Sequence, residues 1–167
     1  IAYQNAKRVI KLTKCDAIKL EGGIKIVNII KYLVKKGIPV VGHVGLMPQT
    51  STNFKVKGKN FVQKKQILKD ALAISNSGVF AIIIECVVEN LARKITKSVS
   101  IPTIGIGASK YCDGQILVTE DMLGLSDFSP KFVKQYANLN KIMEKSIKNY
   151  VKDVKMRRFP SFKNVYR

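Results

Sequence analysis

"VFAIIIE", Val79 to Glu85, is the stretch on which the fold turns. Its unbroken run of β-branched and aromatic residues is the pattern of a strand covered on both faces, whereas a strand with one wet face alternates polar and apolar positions. Strands of that kind belong to parallel sheets sheathed by helices. The same grammar repeats outward in both directions. Upstream, "IPVVGHVG" (Ile38 to Gly45) is a second apolar strand, and "AIKLE" (Ala17 to Glu21) a shorter one. Downstream, "IPTIGIG" (Ile101 to Gly107) is a fourth, and "QILV" (Gln115 to Val118) a short fifth.

Between the strands the apolar residues change to helical spacing. Ala6, Val9 and Ile10 mark a helix over Ala2 to Leu12, and Ile26, Val27, Ile30, Leu33 and Val34 mark one over Ile24 to Lys36, stopped by Gly37. Phe61 to Ser77, closed by Gly78, and Val87 to Ser98 are the next two, and residues 131–155 read as a long charged amphipathic helix. A polar loop, Met47 to Asn60, separates the second strand from the third helix. Strands and helices alternating in this way are parallel βαβ units, and with no internal repeat or low-complexity segment the whole chain, 1–167, reads as one α/β domain.

Composition narrows the setting. At 167 residues with 46% apolar residues, the chain is long enough for one compact core. No apolar run reaches the roughly 18 residues of a membrane span, and a cytoplasmic location is expected. Cys15, Cys86 and Cys112 are far apart, without a CxxC pair, which suits free thiols in a reducing compartment. A net charge of +19 invites a nucleic-acid reading. Against it, 25 of the 30 basic residues are lysine, only five are arginine, and they are spread over every segment among many Ile and Asn. Arginine is the usual reader of bases and phosphates. The pattern fits A+T-rich codon drift on solvated faces.

Two architectures suit the alternation, an open doubly wound sheet and part of a (β/α)8 barrel. Glu21, His43, Glu85 and the Gly105/Gly107 pair all fall at the C-terminal ends of successive strands, where a barrel gathers its active site. Five strands do not close an eight-stranded barrel, which usually takes about 250 residues. The expectation is therefore a TIM-type barrel represented by about its last five βα units. The first residue is Ile and the first helix reads as already under way, which also suggests something larger.

The same strand ends hold the chemistry. Lys19 and Glu21 share one face of their strand, because side chains alternate. Carboxylate oxygen suits a hard cation such as Mg²⁺, and a neighbouring lysine can hold a substrate carboxylate or oxo group, although a structural ion pair reads equally well from spacing. Glu85, at the mouth of a buried strand, is a candidate general base whose pKa burial would raise, against the plainer reading of a strand-end glutamate in a salt bridge. His43, the only histidine, could donate to a bound oxyanion or simply be a satisfied core residue. "GIGASK" (Gly105 to Lys110) lacks the third glycine of a dinucleotide fingerprint and is not a P-loop.

Taken together, "DAIKLEGG", "PVVGHVGLMPQ", "DALAISNSGVFAIIIECV", "IPTIGIGA" and "CDGQILV", in this order, resemble ketopantoate hydroxymethyltransferase, and Phe159-Pro160 after the long helix agrees. The resemblance implies a barrel enzyme that moves a hydroxymethyl group from 5,10-methylenetetrahydrofolate to 3-methyl-2-oxobutanoate, giving 2-dehydropantoate in pantothenate synthesis, with Mg²⁺ and a homo-oligomeric assembly, a decamer in the family. It assigns Lys19 to the 2-oxo acid, Glu21 to the metal, Glu85 to proton abstraction, and His43 to the neighbourhood of the substrate. It also implies two further aspartates on earlier strands, without counterparts here. The departures are Met47, Val88 and Ser109, where the family has Thr, Pro and Gly, and a loop after Asn53 that reads as shortened. The sequence reads either as one whose first third is not represented or as a truncated descendant, and the 167 residues alone are expected to show little or no activity; the alternative is an inactive remnant or interaction module of the same family.

Overall fold

The computed structural model describes residues 1–51, 55–127 and 129–166, in two compact units, Ile1–Ile116 and Leu117–Arg167. The expected change of loop length at Asn53 lies outside the described residues.

The first unit runs α1 (Ala2–Thr13), β1 (Ile18–Glu21), a 3₁₀ turn (Ile24–Ile26), α2 (Val27–Lys35), β2 (Val40–Gly45), α3 (Phe61–Ser75), β3 (Ala81–Glu85), α4 (Glu89–Ser98), β4 (Thr103–Ile106) and β5 (Gly114–Gln115). All five strands are parallel and lie in the order β1-β2-β3-β4-β5. A doubly wound sheet would reverse direction at a switch point. This one never does, and right-handed crossovers in a sheet that only advances put every helix on the same face. Accordingly α1 packs on α2, α2 on α3 and α3 on α4. The fold is α/β, with the strand order of consecutive units of a TIM-type barrel.

The core lies between that helical layer and the sheet. Ile30 and Leu33 of α2, Ile74 of α3, Ile82 and Ile84 of β3 and Ile95 of α4 are fully buried together, each such side chain contributing about 1.5–3 kcal/mol by leaving water. Gly42 lets β2 approach α3: a Cβ there would sit 2.3 Å from the Ile74 side chain. Asn60 starts α3 by accepting the Gln63 amide at 2.9 Å.

Three expectations shift. The fifth strand is Gly114–Gln115 and not Gln115 to Val118, because the Asp113 carboxylate accepts both the Thr103 amide (2.8 Å) and its hydroxyl (2.9 Å), pinning the segment to β4 one residue earlier. Val118 is already the N-cap of a short helix, α5 (Thr119–Met122). The fourth helix starts at Glu89, since Val87 and Val88 pair with Lys57.

In the second unit the long helix, α6 (Leu139–Lys155), begins eight residues later than the expected 131. The amides of Tyr136, Leu139 and Asn140 donate to the carbonyls of Met122, Leu123 and Gly124, and the Asn138 side chain caps Lys141 at 3.1 Å. Those amides are therefore not free for a helix begun at 131. After α6, Phe159 packs edge-on against Tyr150, and Arg158 meets Asp153 at 3.4 Å. No helix among the described residues is long and apolar enough to cross a membrane.

Candidate active site

The register lines the site residues up. Glu21 pairs with His43, His43 with Ile83, and Gly45 with Glu85, so Lys19, Glu21, His43 and Glu85 occupy neighbouring positions on three adjacent strands. Val40, Val44, Ile82 and Ile84 belong to the core under the helices. By alternation the four polar residues then point to the opposite face. In a sheet with all helices on one side, that is the face turned away from them. The sequence-predicted residues thus form one group at the C-terminal ends of β1, β2 and β3.

Two polar contacts organise the group. Lys19 Nζ lies 3.3 Å from Glu21 Oε1, and the Gln49 amide donates to Glu21 Oε2 at 3.1 Å. Glu21 is held on both oxygens and is only 5% exposed, while Lys19 is 40% exposed. On the next strands His43 Nε2 lies 3.6 Å from Glu85 Oε2. This second contact is not an ion pair. Burial pushes the His43 pKa below its ordinary value, outweighing its bond to the Leu46 carbonyl. Burial likewise pushes the Glu85 carboxyl above its ordinary value; Lys19 opposes that shift and Glu21 adds to it. Both groups are driven toward their neutral forms.

His43 is completely buried, with Nε2 donating to the Leu46 carbonyl. Its Nδ1 is buried without a partner among the described residues. The imidazole is therefore neutral and carries one unused acceptor. Glu85 is placed by its own neighbours: its carbonyl accepts the Leu46 amide at 2.8 Å, and Cys86, at φ 49°, turns the chain away from the strand. Gly45 makes that approach possible. Its φ is +100°, and a Cβ on it would lie 2.2 Å from the Glu85 carbonyl oxygen.

The loop after Glu21 brings in a residue that sequence reading passed over. Asp70, in the middle of α3, accepts the Ile24 amide at 2.8 Å and the Gln66 side chain at 3.0 Å. A Cβ on Gly23 would collide with that carboxylate at 2.1 Å. The second glycine of "EGG" is thus the space Asp70 fills. The only signal was the aspartate opening "DALAIS", 46 residues from the amide it meets.

A family model described as ketopantoate hydroxymethyltransferase matches residues 1–162. The chain belongs to that family. Curated relatives called 3-methyl-2-oxobutanoate hydroxymethyltransferase agree. The one from Pelagibacter ubique is 52% identical over 99% of this chain and 64% of its own length. Those from Phenylobacterium zucineum and Bartonella henselae are 50% and 53% identical, again over 99% of this chain, and over 61% and 62% of theirs. The chain spans somewhat under two thirds of the length of these relatives.

Against the hydroxymethyltransferase pattern, the departures at Val88 and Ser109 are absorbed locally. Val88, at the start of α4, donates its amide to the Lys57 carbonyl at 3.1 Å, and buried Ser109 donates to Glu89 Oε1 at 3.1 Å while accepting the Tyr111 amide. The Mg²⁺ implied by the family is a matter of donors. The described residues hold no group of three His, Cys, Asp or Glu side chains that would cage an ion. They do hold Glu21, an oriented carboxylate, with Glu85 close enough to act on by charge. That fits a cation which takes one or two carboxylates and keeps water and substrate oxygens for the rest.

Proposed function

We propose that this chain carries the substrate-anchoring and proton-abstracting part of a hydroxymethyltransferase site acting on 3-methyl-2-oxobutanoate, with 5,10-methylenetetrahydrofolate as one-carbon donor. The observation that carries the reading is the convergence of Lys19, Glu21, His43 and Glu85 on one face at three adjacent strand ends. Family membership supports the reaction, and the convergence supports a division of labour among the four side chains.

Lys19, the exposed cation, meets the substrate carboxylate. Glu21, oriented by Lys19 and the Gln49 amide, would hold Mg²⁺, which when bound withdraws electron density from the 2-oxo group and acidifies C3. Glu85, with its pKa raised by burial, takes the C3 proton. Water releases the donor's one-carbon unit from both its nitrogens as an aldehyde-level carbon, leaving tetrahydrofolate; the C3–H bond breaks to Glu85, C3 adds to that carbon, and the alkoxide so formed takes a proton back from Glu85 to become the hydroxyl. Neutral His43 keeps positive charge away from Glu85 while filling the floor between the two strands. The same reading extends to a TIM-type barrel, supported by the uninterrupted parallel order β1 to β5. It also carries a cytoplasmic homo-oligomer.

The test is formation of 2-dehydropantoate by the purified protein with Mg²⁺, 3-methyl-2-oxobutanoate and 5,10-methylenetetrahydrofolate. Glu85→Gln should lower kcat by about 10²–10⁴. Turnover unchanged by that substitution would remove Glu85 from the mechanism.

A further inference from the structure

Glu21, the proposed metal ligand, is the last residue of β1, the terminal strand of the described sheet. β2 holds its backbone on one side, and the chain leaves it through Gly22 and Gly23 into the 3₁₀ turn that starts at Ile24. Gly22 has φ +134°, and two consecutive glycines leave the backbone many paths out of the strand. A contact from elsewhere in the fold has to select one of them.

Asp70 supplies that contact. The helical segment entered at Ile24 has no side-chain cap from Gly23 and no acid in its first turn. Its first amide donates instead to Asp70 Oδ1 at 2.8 Å, across 46 residues of sequence. A carboxylate delivered by α3 thus does the work of a local N-cap. The same oxygen accepts the Gln66 side chain at 3.0 Å, four residues earlier on α3, which steadies the carboxylate. α3 in turn packs on β2 and β3, the strands that carry His43 and Glu85. The Ile24–Asp70 bond therefore ties the exit of the metal-ligand strand to the helix that underlies the proposed base.

We propose that Asp70 is a positioning residue for the metal site: by fixing the turn after Glu21 it sets where that ligand stands relative to Glu85. The inference rests on the reading of Glu21 as the Mg²⁺ ligand and adds the residue that holds the ligand's strand end in place. Lys19 and the Gln49 amide orient the Glu21 carboxylate, whereas Asp70 orients the backbone that carries it. Both of its bonds fall on one oxygen, so the requirement is an acceptor at that point and not a negative charge.

The experiment is titration of the purified protein with Mn²⁺ in place of Mg²⁺, with 3-methyl-2-oxobutanoate present and the free ion counted by electron paramagnetic resonance. It gives the metal Kd without turnover. Asp70→Ala should raise that Kd about tenfold or more, the range for loss of a group that supports a metal ligand. Asp70→Asn keeps an oxygen for the Ile24 amide and should stay within about threefold of the parent. Ile24→Pro deletes the donor with Asp70 intact, at a first helical position where proline is tolerated, and should reproduce the loss even where Asp70→Ala does not fold. Ile95→Val, a core shortening in α4, is the control: it should lower the melting temperature and leave the Mn²⁺ Kd unchanged. Lower melting temperatures with a parental Mn²⁺ Kd in Asp70→Ala and Ile24→Pro would overturn the proposal and leave Asp70 a support of the fold. An asparagine as damaging as alanine would overturn it too, since charge acting through space would then set the affinity. Both of those outcomes keep Glu21 as the ligand. A parent protein that binds no Mn²⁺ beside the oxo acid removes Glu21 from a metal site, and the proposal falls with it.

Discussion

Glu85 shows how one residue is tuned by its surroundings. Burial raises its pKa, Lys19 works against the shift and Glu21 works with it. The stability consequence follows from linkage. Above the ordinary carboxyl value the unfolded chain ionises at this position more readily than the folded one, so the folded state holds more protons and loses stability as pH rises, up to the raised value. Glu85→Gln removes the titration. The variant should therefore melt at a higher temperature than the parent at neutral pH, with the gap closing as pH falls below the ordinary carboxyl range. Paired melting curves from about pH 4 to 8 check this. A gap that widens toward acid would mean that Glu85 is stabilised as an ion, the opposite of a desolvated base. His43 and Glu85 were legible from their strand-end positions, but their mutual contact was not, because it depends on a register that only the folded sheet sets.

Among the elements, β2, β3 and β4 were readable because each is an apolar run ending in glycine or a charged residue, and a buried parallel strand has no other requirement. Residues 131–138 were not. Phe132, Val133 and Tyr136 sit at helical spacing, yet the amide of Tyr136 is spent on the carbonyl of Met122, a partner no local pattern reveals. Asp70 was missed for the same reason, since its role lies in contacts to a distant turn. The junction between β2 and β3 is the most exacting element contact at the site. Gly45→Ala would force a side chain into the left-handed region and against the Glu85 carbonyl, so a loss of at least about 1–3 kcal/mol is expected, together with a fall in kcat from displacement of Glu85. Chemical denaturation and steady-state kinetics on that variant measure both. An alanine tolerated with full activity would show that the close approach of the two strands is not needed.

At the scale of the molecule, the order β1 to β5 and the single helical layer place every proposed functional group at one end of one face. That arrangement explains why the strand-end pattern alone pointed to a barrel-type site and not to a switch-point crevice. The charge of +19 is a separate matter. Lysines spread over both units predict a general attraction for polyanions. Association with duplex DNA should be weak at about 150 mM salt and indifferent to sequence. Titrations with two unrelated duplexes test this, and tight binding that discriminates between them would require a dedicated nucleic-acid surface.

The proposed removal of the C3 proton of 3-methyl-2-oxobutanoate by Glu85 can be followed by proton NMR as exchange of that proton in D₂O, with Mg²⁺ and no folate. The parent protein should exchange the C3 hydrogen catalytically, and Glu85→Gln should slow the exchange by about 10²–10⁴ while still binding the oxo acid. Exchange at the parental rate in Glu85→Gln would contradict it and assign the proton to another base.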